Sequence, residues 1–150
     1  MNGKVSDTER RLVLRVLNRW QERRGARAFL PQREADPGLF GADWPSCLVL
    51  DLARPGDPGV RYIGEALRRE HGGADWRCVS QCPEGTLLRH MTEFYRQVLE
   101  RRIPVSIGGA GRHQGRDMLF RAILLPLSEN GGAIDYLLGA ANCRAVASGG

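Results

Sequence analysis

Cysteine and histidine are the residue types that could give this chain metal or redox chemistry, and it has four cysteines and three histidines. Cys78 and Cys82 stand four positions apart, a spacing compatible with half of a zinc site. A structural zinc ion needs four ligands, and the remaining cysteines, Cys47 and Cys143, stand alone. The sequence therefore predicts no metal site. Without an export signal, it also predicts free thiols rather than a disulfide framework.

Sequence motifs of catalytic loops do not occur in the chain. There is no phosphate-binding Gly-x4-Gly-Lys loop, no His-Glu-x-x-His pair and no Gly-x-Ser-x-Gly turn. The run Gly108-Gly109-Ala110-Gly111 lacks the spacing of a dinucleotide-binding turn. These observations favour a protein that is not an enzyme, with a small α+β enzyme of dispersed catalytic residues as an alternative.

The excess positive charge of the chain is confined to its first residues. The formal net charge is +5, and residues 1–33 hold nine basic side chains against Asp7, Glu9 and Glu22. The basic residues are Lys4, Arg10, Arg11, Arg15, Arg19, Arg23, Arg24, Arg27 and Arg33. Few aromatic residues stand between these arginines to stack on bases, so nucleic-acid binding is not favoured. A solvated face and a docking surface for an acidic partner both fit the pattern.

Length and hydropathy indicate one domain without a membrane span. The 150 residues suit about one domain. No apolar run approaches the roughly 20 residues that cross a bilayer, and the first residues lack the apolar stretch of a secretory signal. We therefore expect a cytoplasmic protein with no membrane contact.

The predicted elements belong to an α+β domain. Ser6-Asp7-Thr8-Glu9 fits a capping box and predicts a helix over about 7–24, whose apolar face contains Val13, Val16, Leu17 and Trp20. Asp36 and Pro37 have the residue types that begin a short helix. Further helices are predicted at about 65–70 and 86–102, and strands at about 47–52, 60–64, 104–112, 117–127 and 134–143. Five antiparallel strands need one face covered, and the helices are the available cover.

Several segments together resemble the bacterial single-domain PAS proteins over about residues 12–143. They are Leu17-Asn18-Arg19-Trp20, Leu30-Pro31-Gln32-Arg33-Glu34-Ala35-Asp36-Pro37, Val60-Arg61-Tyr62-Ile63-Gly64, Phe94-Tyr95-Arg96-Gln97-Val98 and Leu124-Leu125-Pro126-Leu127-Ser128. The order of predicted elements agrees with the PAS arrangement. The chain departs from the family at residues 71–78, where relatives usually carry an aromatic-Gly and then a Leu-Thr-Gly-like segment.

The resemblance implies a five-stranded antiparallel sheet of order 2-1-5-4-3, covered on one face by helices that enclose a small cavity, with an N-terminal flanking helix. We expect this PAS-like domain over residues 30–145, after an amphipathic helix in residues 1–29 and before a disordered tail at 146–150. Residues expected to line the cavity are Tyr62, His71, Met91, Tyr95, Phe120, Ile123 and Tyr136. Arg33 and Asp36 are expected to hold the connector rather than to contact a ligand.

PAS domains bind haem, flavin or small metabolites, or act only as docking domains, and the sequence leaves the cofactor of this chain unknown. Haem needs an axial ligand, for which His71 is better placed than His90 or His113. Light-sensing PAS relatives use an Asn-Cys-Arg-Phe-like motif early in the helical region. Here Asn142-Cys143-Arg144 stands at the end of the last strand, and Cys78 is nearer the expected place but lacks the flanking residues.

The function expected from these observations is sensory or regulatory, in bacterial signal transduction. Output would pass to a partner protein or to a second copy in a homodimer, with or without a small ligand in the cavity. The expected route is the apolar face of the first helix, Val13, Val16, Leu17 and Trp20, which can pack on its own sheet, on a second copy or on a target. Strands one and five are adjacent in the implied sheet. Cys47 and Cys143 are therefore expected to lie close enough for a cross-strand pair that oxidation bridges, or to be two small core residues.

Overall fold

This computed structural model describes residues 3–113 and 115–146, and the side chains of residues 11–112 and 115–146. The helices are α1 (Gly3–Arg24), α2 (Pro37–Phe40), α3 (Glu65–Glu70), α4 (Leu87–Thr92) and α5 (Tyr95–Arg101), with 3-10 turns at Gln32–Glu34, Gly41–Ser46 and Val79–Gln81. The strands are β1 (Cys47–Asp51), β2 (Gly59–Ile63), β3 (Val105–His113), β4 (Arg116–Leu127) and β5 (Tyr136–Ala145). Among the described residues, no helix is both long and apolar enough to cross a membrane.

The five strands form one antiparallel sheet in the order β2-β1-β5-β4-β3, which confirms the predicted topology. β5 lies in the centre of the sheet between β1 and β4. Its residues from Tyr136 to Leu138 pair with β1 on one side and with β4 on the other. A register shift between Val49 and Leu50 gives the β1–β2 pairing a local irregularity.

The two faces of the sheet are covered by different helices. On the face that we call inner, α3, α4 and α5 pack over alternate strand residues such as Leu48, Phe120 and Leu124. On the outer face, α1 lies along β4 and β5 and buries Val16 and Trp20. The alternating side-chain direction of a strand therefore serves two hydrophobic clusters, one on each side of the sheet.

Helix α1 begins earlier than the sequence predicted. It starts at Gly3, so the expected start near residue 7 is wrong, and Ser6 stands inside the helix rather than at its cap. The side chains of Ser6 and Glu9 lie outside the described residues. Of the predicted tail, Val146 donates its N–H to the carbonyl of Asp117, while residues 147–150 lie outside the described residues.

The long helix expected over 86–102 is interrupted, so that prediction is wrong in one respect. Thr86 caps α4 by accepting the N–H of Arg89, but α4 ends at Thr92. The Thr92 hydroxyl donates to the carbonyl of Leu88 at 2.7 Å, a bond typical of bent helices. Phe94 then leaves the helical conformation, with φ −93° and ψ 16°, before α5 begins.

Two of the five segments that carry the family resemblance, residues 30–37 and 124–128, contact each other. Leu30 forms a parallel bridge with Leu127, and the Ser128 N–H donates to the Leu30 carbonyl at 3.0 Å. Arg33 forms an ion pair with Glu129 beside this bridge. Asp36 accepts the N–H of Leu39 at 2.9 Å as the cap of α2. These contacts agree with the expectation that Arg33 and Asp36 hold the connector.

Candidate functional site

The seven residues predicted to line a cavity lie on both faces of the sheet. His71, Met91, Tyr95 and Phe120 belong to the inner cluster. Tyr62, Ile123 and Tyr136 belong to the outer cluster, beneath α1 and the segment before β1. The expectation that all seven face one cavity is therefore wrong for these last three residues.

Instead of lining a cavity, Tyr62, Ile123 and Tyr136 pack against other side chains on the outer face of the sheet. The ring of Tyr62 stacks on that of Trp44, with centroids 4.6 Å apart. The guanidinium of Arg61 lies 5.5 Å from the centre of the Tyr136 ring. Ile123 is 2% exposed among the side chains that pack against α1. These three residues anchor the outer layer of the domain.

The space between the inner face and the helices is occupied by the chain's own side chains. Leu87, Leu88 and Met91 of α4 are fully buried, as is Val98 of α5. They pack against Leu124 and its neighbours on the sheet. The region expected to enclose a ligand is therefore a packed core in this structure.

His71 joins two helices within that core. It is 7% exposed, its Nδ1 lies 2.7 Å from the Leu67 carbonyl, and its Nε2 lies 3.1 Å from the Leu88 nitrogen. The Leu88 N–H donates to Nε2, so Nδ1 carries the proton and donates to Leu67. Both ring nitrogens are thus engaged. The residues present do not fit a haem with His71 as axial ligand.

Among the described side chains, His90 gives no metal or haem site either. His90 stacks on Phe120, with ring centroids 5.2 Å apart. Its Nε2 is buried without a hydrogen-bond partner and faces β3, where a Cβ added to Gly111 would lie only 3.0 Å away. The side chain of His113 lies outside the described residues. Within the described part of the chain, no three His, Cys, Asp or Glu side chains form a metal-binding group.

The sheet register separates the two cysteines that were expected to pair. Cys47 stands opposite Ala140 in the β1–β5 ladder, three positions before Cys143. Cys47 belongs to the outer cluster, whereas Cys143 packs against the inner one. Because an odd offset along a strand reverses the face, the predicted thiol pair is wrong.

The remaining cysteines do not complete a flavin motif in the interior. Cys78 lines a cavity at the edge of the sheet, and its Sγ lies 3.3 Å from the Ser80 hydroxyl. Cys143, in the run Asn142-Cys143-Arg144, lies 3.8 Å from a carboxylate oxygen of Glu70. Since the core is filled and these thiols lie at its rim, the residues present do not fit an enclosed flavin.

The predicted partner face of α1 is buried against its own sheet. Val13, Val16 and Trp20 are at most 7% exposed, and Leu17 packs beside them. Polar contacts hold the helix in place. Arg15 forms a two-pronged ion pair with Asp43, with distances of 2.7 and 2.8 Å, and the Trp20 Nε1–H donates to the Pro126 carbonyl. The hydrogen bonds from Arg15 to Asp43 raise the pKa of Arg15.

The outward side of α1 has a different character. Leu14 is 47% exposed, and Asn18 and Gln21 follow it at helical spacing on the exposed side. These three uncharged residues, which we call the outer stripe, share the exposed side of the helix with the charged residues Arg11, Arg15 and Glu22. The sequence did not indicate the outer stripe, because a single exposed leucine on an amphipathic helix gives no signal of its own.

Cavities border the sheet at its rim. One of about 370 Å³ lies at the end of the β1–β2 hairpin, and one of about 200 Å³ lies beside Cys143. The sequence predicted the two strands of this hairpin, at about 47–52 and 60–64, but no cavity beside them. Nothing in the sequence indicated that the later segment Arg77–Gln81 would close a cavity against the turn between these strands.

Comparison with known proteins places the fold. A family model described as "PAS domain" matches residues 9–142. Among solved structures, the dark structure of the blue-light photoreceptor Aureochrome1 LOV has 16% identity and a TM-score of 0.50, covering 71% of this chain and 78% of that chain. A fungal LOV domain photoreceptor has 15% identity and a TM-score of 0.50, covering 87% and 90%.

A LOV domain from the blue-light activated histidine kinase of Erythrobacter litoralis gives 14% identity and a TM-score of 0.49, covering 67% of this chain and 96% of that chain. At such identities the likeness to solved structures concerns the fold alone. No curated protein matches the chain.

Proposed function

The chain belongs to the PAS domain family, and on that premise we propose that it is a non-enzymatic regulatory domain that signals through contacts with other protein chains. PAS domains are in general sensory domains without catalytic activity. More specifically, we propose that this domain acts in bacterial signal transduction and that it binds a second copy of the chain.

One observation carries the proposal: α1 covers the centre of the sheet and turns the outer stripe to the surface. Val16 and Trp20 join the helix to β4 and β5, so a change in the sheet also changes the position of α1. On the other side of the helix, Leu14 exposes nearly half of its surface. The helix thus connects the interior of the domain to a surface on which another chain can pack.

A second copy is the favoured partner because the outer stripe is uncharged and can pack on itself. Two antiparallel α1 helices would set Leu14 beside Asn18 or Gln21 of the other copy, in the manner of ridges and grooves between helices. The charged residues beside the stripe, Arg11, Arg15 and Glu22, would remain at the rim of this contact, where they keep their hydration.

Sedimentation of purified protein at several concentrations tests this proposal. We expect the wild-type chain to sediment as a dimer. Leu14→Glu should raise the dissociation constant of the dimer by at least about tenfold, because the substitution buries a charge in the contact. Ile103→Glu is the matched control, since Ile103 is 52% exposed but does not belong to α1. A monomeric wild type, or a dimer that Leu14→Glu leaves unchanged, would contradict the proposal.

A further inference from the structure

The residues that line the cavity at the end of the β1–β2 hairpin take no part in the proposed contact between two α1 helices. It encloses about 370 Å³ at the edge of the sheet. Six of the residues that line it are Asp51, Arg54, Gly59, Arg77, Cys78 and Gln81. They come from three segments: the end of β1, the start of β2 with the turn before it, and the chain that leads into the Val79–Gln81 turn.

Main-chain hydrogen bonds hold the wall of the cavity against β2. The Val60 N–H donates to the Arg77 carbonyl at 2.8 Å, and the Val79 N–H donates to the Pro58 carbonyl at 2.9 Å. Gly59 and Cys78 form the antiparallel bridge between these two bonds. Residues 77–79 thus act as a short additional strand at the β2 edge, which gives the cavity a fixed wall.

A glycine leaves the floor of the cavity open. Gly59 pairs with Asp51 on one side and with Cys78 on the other, so all three stand in one row across the sheet. A Cβ added at Gly59 would lie 3.6 Å from the Arg77 carbonyl oxygen and 3.7 Å from the Asp51 Cβ, which are ordinary contact distances. A larger side chain at this position would therefore occupy the cavity without a forced clash of the backbone.

Two guanidinium groups border the cavity, and no carboxylate of the described residues lies within ion-pair distance of either. Arg54 and Arg77 are exposed, and neither forms an ion pair within the described part of the chain. Asp57, three positions after Arg54, accepts hydrogen bonds from the Ser80 N–H and hydroxyl, and these bonds, together with the nearby charge of Arg54, lower its pKa. The arginines therefore retain their donors for a ligand.

The other polar side chains that line the cavity already form some hydrogen bonds within the chain. The Asp51 carboxylate accepts the Ala53 N–H at 2.9 Å, and the side-chain oxygen of Gln81 accepts the Arg77 N–H at 2.8 Å. The Gln81 amide nitrogen keeps its two donors. Two cations against one carboxylate leave the lining with a net positive charge and an excess of donors. Planar guanidinium groups bind carboxylate and phosphate oxygens with two parallel hydrogen bonds.

We propose that this cavity binds a small oxyanion, the carboxylate or phosphate group of a metabolite, through Arg54 and Arg77. The inference goes beyond the regulatory function proposed above and places the ligand at the sheet edge rather than in the packed interior. The wall of the cavity also leads into the core. Val79 and Cys82 are buried in the inner cluster, and Arg89 of α4 donates to both of their carbonyls. A bound anion that orders residues 77–81 thereby acts on α4.

Amide chemical shifts of the full chain, titrated by nuclear magnetic resonance, test the site. Inorganic phosphate is added in one series and malonate in another, at fixed pH and with ionic strength held constant by chloride. We expect saturable shifts at the amides of Gly59, Arg77 and Cys78. Saturation by both probes identifies general oxyanion binding, and saturation by one of them identifies the phosphate or the carboxylate as the preferred group.

Four variants make the test specific. Arg54→Gln combined with Arg77→Gln should weaken binding by at least about tenfold, because the charge-assisted hydrogen bonds are lost. Asp51→Asn should tighten binding by about threefold, because a like charge is removed. Gly59→Val should abolish binding without changing any charge. Arg61→Gln is the matched control on β2, since Arg61 lies over the Tyr136 ring. The melting temperature of each variant verifies its folding.

The proposal is overturned by shifts that rise linearly with either probe, by shifts that spread over the arginine-rich surface, or by equal binding in the double variant and in the wild type. The sedimentation experiment on Leu14 uses a different surface and a different readout. Failure of the anion site and failure of the proposed dimer are therefore distinguishable.

Discussion

The four cysteine side chains have different surroundings, and these surroundings set their reactivity. Cys47 and Cys82 are almost fully buried, and burial raises the pKa of both thiols, that of Cys82 to about 11. Cys78 and Cys143 are partly exposed and each lines a cavity at the rim. Because the thiolate is the reactive form, the buried Cys47 and Cys82 are expected to react more slowly than the partly exposed Cys78 and Cys143.

Thiol titration of the native protein is expected to count two reactive cysteines. At pH 8, a pKa of about 11 leaves only about one in a thousand Cys82 side chains as thiolate, and Cys47 has still fewer. A disulfide reagent that yields a coloured thiolate should therefore modify Cys78 and Cys143 quickly, and all four cysteines only after denaturation in urea. Rapid reaction of four thiols without denaturant would contradict the burial seen here.

The role of a residue could be predicted from the sequence where it depends on neighbours along the chain. It could not be predicted where it depends on the register between strands of the sheet. Asp36 and Pro37 could be assigned to a helix start because a cap needs only its own three or four neighbours. The Cys47–Cys143 pair could not be judged, because strand adjacency without register leaves the face of each side chain undecided. The register places the two thiols on opposite faces.

At the scale of elements, α1 is an integral part of the domain rather than an appended helix. Its buried residues pack among β-strand residues such as Val49, Leu125 and Leu138. The ion pair between Arg15 and the 8% exposed Asp43 adds a polar tie to the segment before β1. Removal of the apolar face of α1 would expose the outer side of the sheet to water.

Substitutions on the two sides of α1 are expected to differ in their effect on stability. Trp20→Ala should lower the free energy of unfolding by about 3–5 kcal/mol, because it removes a buried ring together with its hydrogen bond to Pro126. At protein concentrations low enough to dissociate the proposed dimer, Leu14→Ala on the exposed side should change it by less than about 0.5 kcal/mol. Urea unfolding followed by circular dichroism measures both. Equal effects of the two substitutions would mean that α1 folds apart from the sheet.

The elements themselves were largely predictable, and their side-chain directions were predictable only in part. Strand positions followed from apolar runs between glycine-bearing turns, and all five predicted strands were found. Phe120 and Ile123 are three positions apart on β4, so the period of two already assigns them to opposite faces. The break after Thr92 was not predictable from periodicity, because the apolar pattern of α4 continues into α5.

At the scale of the whole molecule, the domain has a filled interior and two covered sheet faces. Helices α3 to α5 pack on the inner face and α1 packs on the outer face. The histidine expected to bind haem instead links α3 to α4 through both ring nitrogens. The routes proposed for communication with other molecules therefore lie on the surface, at the outer stripe of α1 and at the rim cavity.

Native mass spectrometry of the freshly purified chain, compared with its mass after denaturation, distinguishes a homodimer with a filled core from a monomer or a cofactor-binding domain. We expect a species of twice the 16.6 kDa chain mass that carries no tightly held haem or flavin, because the core is occupied by side chains and the proposed partner is a second copy. The weakly held anion of the rim cavity exchanges away in volatile buffer. A monomer, or a nonprotein mass that is lost only on denaturation, would contradict the account.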